Sequence, residues 1–381
     1  MRKDLFSEQS PGDLFPLEEN VFAFVPRPLP PSFEMDHELA ILLANASLAL
    51  GRLDGLGHRL PNPHLLIRPF ARIEAVGSTR IEGTQASLAD LYAAEAEVPL
   101  FPSSEVRDDA LEVRNYVRAL ELGIELLQEL PVSVRLLRRM HAVLMEGVRG
   151  KNKAPGELRR GQNWIGGHEP RAAAYVPPPH HLVPGLLSRL EHYINQEHSP
   201  HHPLVDLALV HYQFEAIHPF WDGNGRIGRL LITLMLLDKK LLEQPLLYLS
   251  TYFEETRDEY YRLLNRVSTE GDWRSWVTYF LRAVYAQSQD ALDRSARLVE
   301  LRDSYRQTLQ GARANSTLLM AVDHLFARPI FTVRQLKTEL NISFATANKA
   351  VAQLEKAGIL TELTGRRRNR LFAANQVLDL L

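Results

Sequence analysis

His218-Pro219-Phe220-Trp221-Asp222-Gly223-Asn224-Gly225-Arg226-Ile227-Gly228-Arg229 joins a proton acceptor, a carboxylate, a glycine-rich bend and two arginines in one stretch. The apolar run 204–214 before it is helix-compatible, and Pro203 suits a helix start because the N–H it lacks would have no partner there. Pro219 and Gly223 stop that helix. The run 226–237 reads as a second helix, apolar enough to be largely buried. The bend Gly223-Asn224-Gly225 therefore falls at a helix N-terminus, where free backbone N–H groups and the helix dipole attract an anion. Glycines let phosphate approach the backbone, and Ile227 and Gly228 complete the first turn. Arg226 and Arg229 are three residues apart, so they share a helix face and both reach phosphate oxygens. Asp222 is placed to hold Mg²⁺, a hard cation that takes one or two carboxylates plus phosphates. His218, one short loop away, can accept a proton near neutral pH.

Taken singly, these residues have plainer readings. Asp-Gly-Asn-Gly is commonly a turn, and a histidine before a proline is commonly packed or capping. A calcium loop fails on register: Phe220 would stand at the first ligand position and Leu231 at the bidentate glutamate. The combination points to a nucleotide triphosphate.

Every defined position of 218–229 matches the Fic-domain signature, histidine-x-phenylalanine-x-acid-glycine-asparagine-glycine-arginine-x-x-arginine, and the chain resembles that family. The resemblance implies a mainly α fold: a Fic helical core, a small β-hairpin flap and a C-terminal winged helix-turn-helix. It implies a protein adenylyltransferase that moves AMP from Mg-ATP to a Ser, Thr or Tyr hydroxyl of a target protein, its own chain included. His218 would deprotonate the hydroxyl, Asp222 would ligate Mg²⁺, and Gly223, Asn224, Gly225, Arg226, Ile227, Gly228 and Arg229 would bind the nucleotide. Phe220 would anchor the loop, and Tyr260 or Tyr261 would line the adenine pocket. Such catalysis is mainly positioning and electrostatics.

Ser78-Thr79-Arg80-Ile81-Glu82-Gly83 resembles the family's inhibitory motif, in which the glutamate (here Glu82) takes the second signature arginine (here Arg229) from the γ-phosphate. On its own the segment also reads as an ordinary helix end, with Gly83 as C-cap. Two short extended segments, with Trp164, Ile165 and Gly166 in one and Tyr175 in the other, resemble the flap, whose edge can align a target segment by backbone pairing. A plain surface hairpin is the other reading. Alternatives to AMP transfer are transfer of another phosphate-linked group, removal of AMP with Glu82 positioning water, or a DNA-binding regulator that only senses nucleotide.

The chain has 381 residues, 45% apolar and 24% charged, as expected of a soluble globular protein. A net charge of −2 gives no global attraction to nucleic acid or membrane. With no cysteine, disulfides and thiolate metal sites are excluded; this suits the cytoplasm, the expected location. The N-terminus lacks an apolar signal core and the run 230–237 is too short to span a bilayer, so no membrane partner is expected.

Four parts follow. Residues 1–112 form an N-terminal helical region with the inhibitory motif; its first 35 residues, rich in proline, are expected to run extended over the surface, and Ser87 to cap a helix with Leu88, Leu91 and Tyr92. Residues 113–285 form the catalytic core, with helices near 132–145, 182–194 and 257–281. Residues 286–314 form a linker helix. Residues 315–381 read as a separate unit: three helices, then two strands near 360–363 and 370–373 around a basic turn. This winged helix-turn-helix is compatible with DNA through its cations Arg334, Lys337, Lys349, Arg366, Arg367, Arg368 and Arg370, or with protein docking, including a homodimer. His198, His201 and His202 lie in a loop without a carboxylate at ligand spacing and read as solvated.

Overall fold

The first 35 residues, expected to run extended over the surface, contain a paired hairpin. Gly12–Glu18 (β1) and Val21–Pro26 (β2) pair antiparallel, with a register irregularity between Pro16 and Glu18. Apolar burial outweighs the proline content: Val21, Ala23 and Phe24 are buried, and the Phe24 N–H donates to the Val176 carbonyl at 2.9 Å. Pro16 sits beside the irregularity, where a missing donor costs little. The computed structural model describes residues 1–59, 64–96, 104–148, 153–310 and 316–381.

The fold is mainly helical. His37–Arg59 (α1) is, among the described residues, long and apolar enough to cross a membrane by length and composition; here Leu39, Ala46, Leu50 and Leu53 lie in the core. His64–Ile81 (α2) carries the candidate inhibitory motif at its C-terminal end. Leu88–Glu95 (α3) starts at Ser87, whose hydroxyl accepts from the Asp90 N–H while Asp90 bonds back to the Ser87 N–H, a full capping box. Ser104–Leu127 (α4), Val134–Leu144 (α5) and Val183–Ile194 (α6) follow, the last two within a residue or two of expectation.

Pro203–Ile217 (α7) and Asn224–Asp238 (α8) flank the signature loop and pack on each other. Both are apolar almost all round, which demands burial on every side. Each buried Leu, Val or Phe is worth about 1.5–3 kcal/mol relative to exposure, so burial holds the loop ends. His202 starts α7, its Nδ1 accepting from the Leu204 N–H at 3.2 Å.

Ser250–Glu255 (α9) packs on α2. The expected helix 257–281 is broken at Gly271 into Arg257–Glu270 (α10) and Trp273–Gln310 (α11). No separate linker begins at 286: α11 runs through that position because Ala291, Leu298, Tyr305 and Leu309 keep one face buried. Residues 311–314 of the expected linker lie outside the described residues.

The C-terminal unit comprises Ser316–Ala327 (α12), Ile330–Thr332 (β3), Val333–Glu339 (α13), Phe344–Lys356 (α14), Thr361–Glu362 (β4), Leu371–Ala373 (β5) and Asn375–Leu380 (α15). Its sheet has three antiparallel strands in the order β3-β5-β4, not two. The extra strand is three residues long, too short to show a period in sequence. Nor does the unit stand apart. Helix α12 packs on α2, and Tyr92, Ala93 and Ala96 form a cluster with Ile330, Leu371 and Ala373.

Candidate nucleotide site

The loop between α7 and α8 is fixed from inside. His218 ends α7 in the left-handed region, φ +49°. Gly223 begins α8 at φ +75°, a conformation that glycine adopts without Cβ strain. Asn224 is buried, and its amide clamps the loop: Oδ1 accepts from the Phe220 N–H at 2.8 Å and Nδ2 donates to the Phe220 carbonyl at 3.0 Å. The expected nucleotide ligand Asn224 thus has its side-chain amide engaged with the Phe220 backbone. No side chain caps α8, so the backbone N–H groups of that turn are left for an anion. Phe220 is buried and stacks on His141, ring centroids 3.9 Å apart.

Two residues that sequence reasoning missed hold this turn. His141 accepts the Gly156 N–H on Nδ1 at 2.8 Å, which leaves Nε2 to donate to the Asp222 carbonyl at 2.9 Å. Burial lowers its pKa to about 4, so the ring is neutral and fixed in one tautomer. Arg159 is buried without a carboxylate. Its guanidinium donates to the carbonyls of His218 at 2.9 Å, Gly161 at 3.1 Å, Pro178 at 2.5 Å and Ile217 at 3.4 Å. Burial lowers its pKa to about 10. These bonds pin the strained backbone of His218. Arg159→Ala is expected to leave several buried carbonyls unpaired and to destabilise the fold by about 2–4 kcal/mol, read as a fall in thermal midpoint. An unchanged midpoint would contradict the role given to Arg159.

The Nδ1 of the His218 imidazole is buried without a partner among the described residues. Burial, then the nearby Arg159, lowers its pKa to about 4, against a smaller upward pull from Glu82. Asp222 is 43% exposed; its Oδ1 accepts from the Gly223 N–H at 2.6 Å and from Arg226 Nη2 at 3.4 Å. Arg226 is buried and paired with Glu112 of α4 at 3.1 Å.

Arg229 is the most enclosed charge of the site, 2% exposed. Its Nε donates to Ser78 Oγ at 2.8 Å, and Nη2 donates to the Ser78 carbonyl at 2.9 Å and to Glu82 Oε1 at 2.7 Å. Burial opposes the charge on both partners, but their attraction prevails: the Arg229 pKa is raised and the Glu82 pKa lowered. Gly83, at φ +100°, ends the helix, and Glu82 one residue earlier takes the arginine. Gly225 makes room for this pair: a Cβ there would collide with Glu82 Oε1 and press on Arg229. Glu215 was also missed. Its Oε1 is buried without a partner where a Cβ on Gly228 would stand, and burial raises its pKa to about 8. Glu74 is buried between Tyr116 and Ser250.

The two adenine candidates separate. Tyr260 is a core residue, stacked on Phe253 at 4.9 Å and bonded to His211 Nε2 at 2.8 Å. Tyr261 is 40% exposed, and its hydroxyl feels Glu82 and Arg229. The flap pairs through an antiparallel bridge, Ile165 with Tyr175, and Gly166 and Gly167 follow Ile165 at positive φ. Trp164 is exposed, and Tyr175 donates to the Ala216 carbonyl at 2.8 Å, tying the flap to α7.

Sequence profiles match this architecture in two adjoining parts: Fic/DOC family N-terminal over residues 40–125 and Fic/DOC family over residues 131–236. The chain belongs to the Fic/DOC family. The Fic profile takes in α5 to most of α8, and with them His218, Asp222 and Arg229; the N-terminal profile takes in Ser78 and Glu82. Two relatives, each called protein adenylyltransferase Fic, are from Drosophila virilis, 30% identical over 211 residues, and Drosophila melanogaster, 29% identical over the same length. The matches cover 53% of this chain but 39% and 38% of those proteins, so this Fic chain spans under half the length of its curated relatives. A Fic family protein from Desulfovibrio desulfuricans G20 shares the fold, with a TM-score of 0.59, 21% identity, and coverage of 91% of this chain and 98% of that one. Fic-1 (aa134–508) from C. elegans aligns at a TM-score of 0.55 and 23% identity, over 67% of this chain and 73% of its own.

Proposed function

We propose that this Fic protein is an adenylyltransferase that moves AMP from ATP to a Ser, Thr or Tyr hydroxyl of a target protein and releases pyrophosphate. The observation that carries this reading is the meeting, at the uncapped start of α8, of Arg229, Asp222 and the His218 imidazole, whose Nδ1 has no partner among the described residues. Relatives named protein adenylyltransferase Fic support it.

The chemistry follows from these groups. Free N–H groups of the first turn of α8 and the dipole behind them hold the phosphates. Arg226, neutralised by Glu112, shapes that turn more than it offers net charge. Arg229 supplies the charge for the terminal phosphate once Glu82 leaves it. The target oxygen attacks the α-phosphorus, the bond from that phosphorus to the bridging oxygen breaks, and the electron pair departs with pyrophosphate. The hydroxyl proton passes to a ring nitrogen of His218, which is neutral at pH 7 and ready to accept it.

Asp222 fits a divalent cation: both of its hydrogen bonds fall on Oδ1, leaving Oδ2 without one among the described residues. No group of three acidic or histidine residues accompanies it among the described residues, so the nucleotide's own oxygens would complete the shell. Mg²⁺ there would neutralise phosphate charge. Tyr261 would border the base, and the exposed edge around Ile165 would align the target segment. The pair of Glu82 with Arg229 supports a reading in which Glu82 inhibits the site by withholding that arginine from the terminal phosphate.

The test is incubation of the chain, with a range of protein acceptors, with ATP labelled on the α- or the γ-phosphate. Label retained on protein from the α-position alone is the expected result. Retention from the γ-position, or from neither, would overturn the proposal.

A further inference from the structure

The C-terminal unit and the end of α3 enclose a cleft of 1060 Å³. Arg334 of α13 and Arg366, Arg367 and Arg368 of the β4–β5 loop line it and are exposed, and among the described residues no hydrogen bond or ion pair reaches their guanidinium groups. The chain as a whole carries a net charge of −2, so this concentration of free cations is local. Phe344, at the start of α14, stands in the same cleft with its side chain 56% exposed.

The lining is built, not merely loose. Arg370 donates from Nη2 to Asn348 Oδ1 at 3.2 Å and lies 4.9 Å from the Phe372 ring centroid, which holds the base of the β4–β5 loop against α14. On the opposite wall, Glu95 is taken by Arg72 at 2.8 Å and Arg328 at 3.8 Å, and Glu339 by Arg328 at 3.1 Å, Arg68 at 3.4 Å and His324 at 3.2 Å. The acids of the cleft are thus already neutralised by their own partners, and the four arginines are left over. Free guanidinium groups favour phosphate, which they bind bidentately. An exposed aromatic ring beside them favours a flat π-system. A ligand that repeats an anion and a ring at every unit satisfies both; an acidic peptide satisfies only the first.

We infer that this cleft binds the sugar–phosphate strand of a nucleic acid, with Arg334, Arg366, Arg367 and Arg368 on phosphates and Phe344 stacked on a base. The site lies apart from the signature loop, and it does not depend on the reaction proposed above.

Fluorescence anisotropy of the full chain with labelled single-stranded and duplex DNA of the same sequence tests this, with binding read across a salt series. Binding is expected to weaken linearly in log–log with salt. The triple variant Arg366→Glu, Arg367→Glu, Arg368→Glu should bind at least about tenfold more weakly and reduce the slope by about 2 to 3. Phe344→Ala should weaken the single strand while leaving the slope unchanged; a loss on single strand but not duplex identifies the former as the ligand form. All four positions are exposed, so circular dichroism and thermal midpoint should match the parent. No binding at low salt, a triple variant that binds like the parent, or displacement of DNA by polyglutamate at equal charge would overturn the inference. Because no step uses ATP, a chain without transferase activity gives the same answer.

Discussion

Glu82→Gly is expected to raise AMP transfer by about 10- to 100-fold, the factor that matches loss of one charge-assisted hydrogen bond worth roughly 1.5–3 kcal/mol. The carboxylate holds Arg229 Nη2 at 2.7 Å, and nothing else anionic reaches that guanidinium by a direct hydrogen bond among the described residues. Glu82 is 34% exposed, so solvent weakens the pair and places the effect toward the lower end. Ser78 would keep Arg229 oriented after the change, because its hydroxyl and carbonyl both accept from the guanidinium. Position 82 lies in the turn just after α2, so glycine there should lower the thermal midpoint only slightly. Glu82→Gln should give a smaller rise, since the amide still accepts a weaker bond. A Glu82→Gly protein no faster than the parent on any acceptor, itself included, would show that this ion pair does not restrain the site.

His218→Ala is expected to lower the rate by about 10²–10⁴-fold, the usual contribution of a positioned general base. Alanine at φ +49° carries backbone strain that confuses the comparison, whereas asparagine tolerates that region, so His218→Asn is the cleaner variant and should lose as much. The pH profile supplies a signature that a structural role would not. The folded-state pKa of His218 is lowered to about 4, so the proton-accepting form dominates above that value. The rate should therefore climb with pH through about 4 and level off before 6, with no limb at the ordinary histidine value. In Glu82→Gly, which removes a carboxylate that favours the protonated ring, that limb should move lower still. A limb near 6.5 would mean that the base is a solvated histidine elsewhere.

The signature segment was legible because its physics is local. A proline and a glycine stop one helix, a second apolar run starts the next, and the bend between them must expose N–H groups. Ser87 announced its helix for the same reason, capping the backbone N–H three residues on. What stayed hidden depends on partners distant in sequence. Arg159 and exposed Arg160 are indistinguishable in the chain, yet only the first is folded over the His218 carbonyl. Tyr260 and Tyr261 are adjacent and chemically equal; helix phase alone sends one into the aromatic core and leaves the other near Arg229. That the Asn224 amide bonds back to Phe220 is visible only in the fold. The N-terminal hairpin was obscured by its prolines, and its link to Val176, far along the chain, has no local signal.

The central claim is that the turn after Asp222 holds a triphosphate with its first phosphorus before the His218 ring. Intact mass of the Glu82→Gly protein after incubation with Mg-ATP, beside the same protein carrying His218→Asn, tests it most directly. The account predicts added mass of one or more AMP groups in the first protein and none in the second. Equal adducts in both, or adducts of phosphate mass in place of AMP, would contradict it.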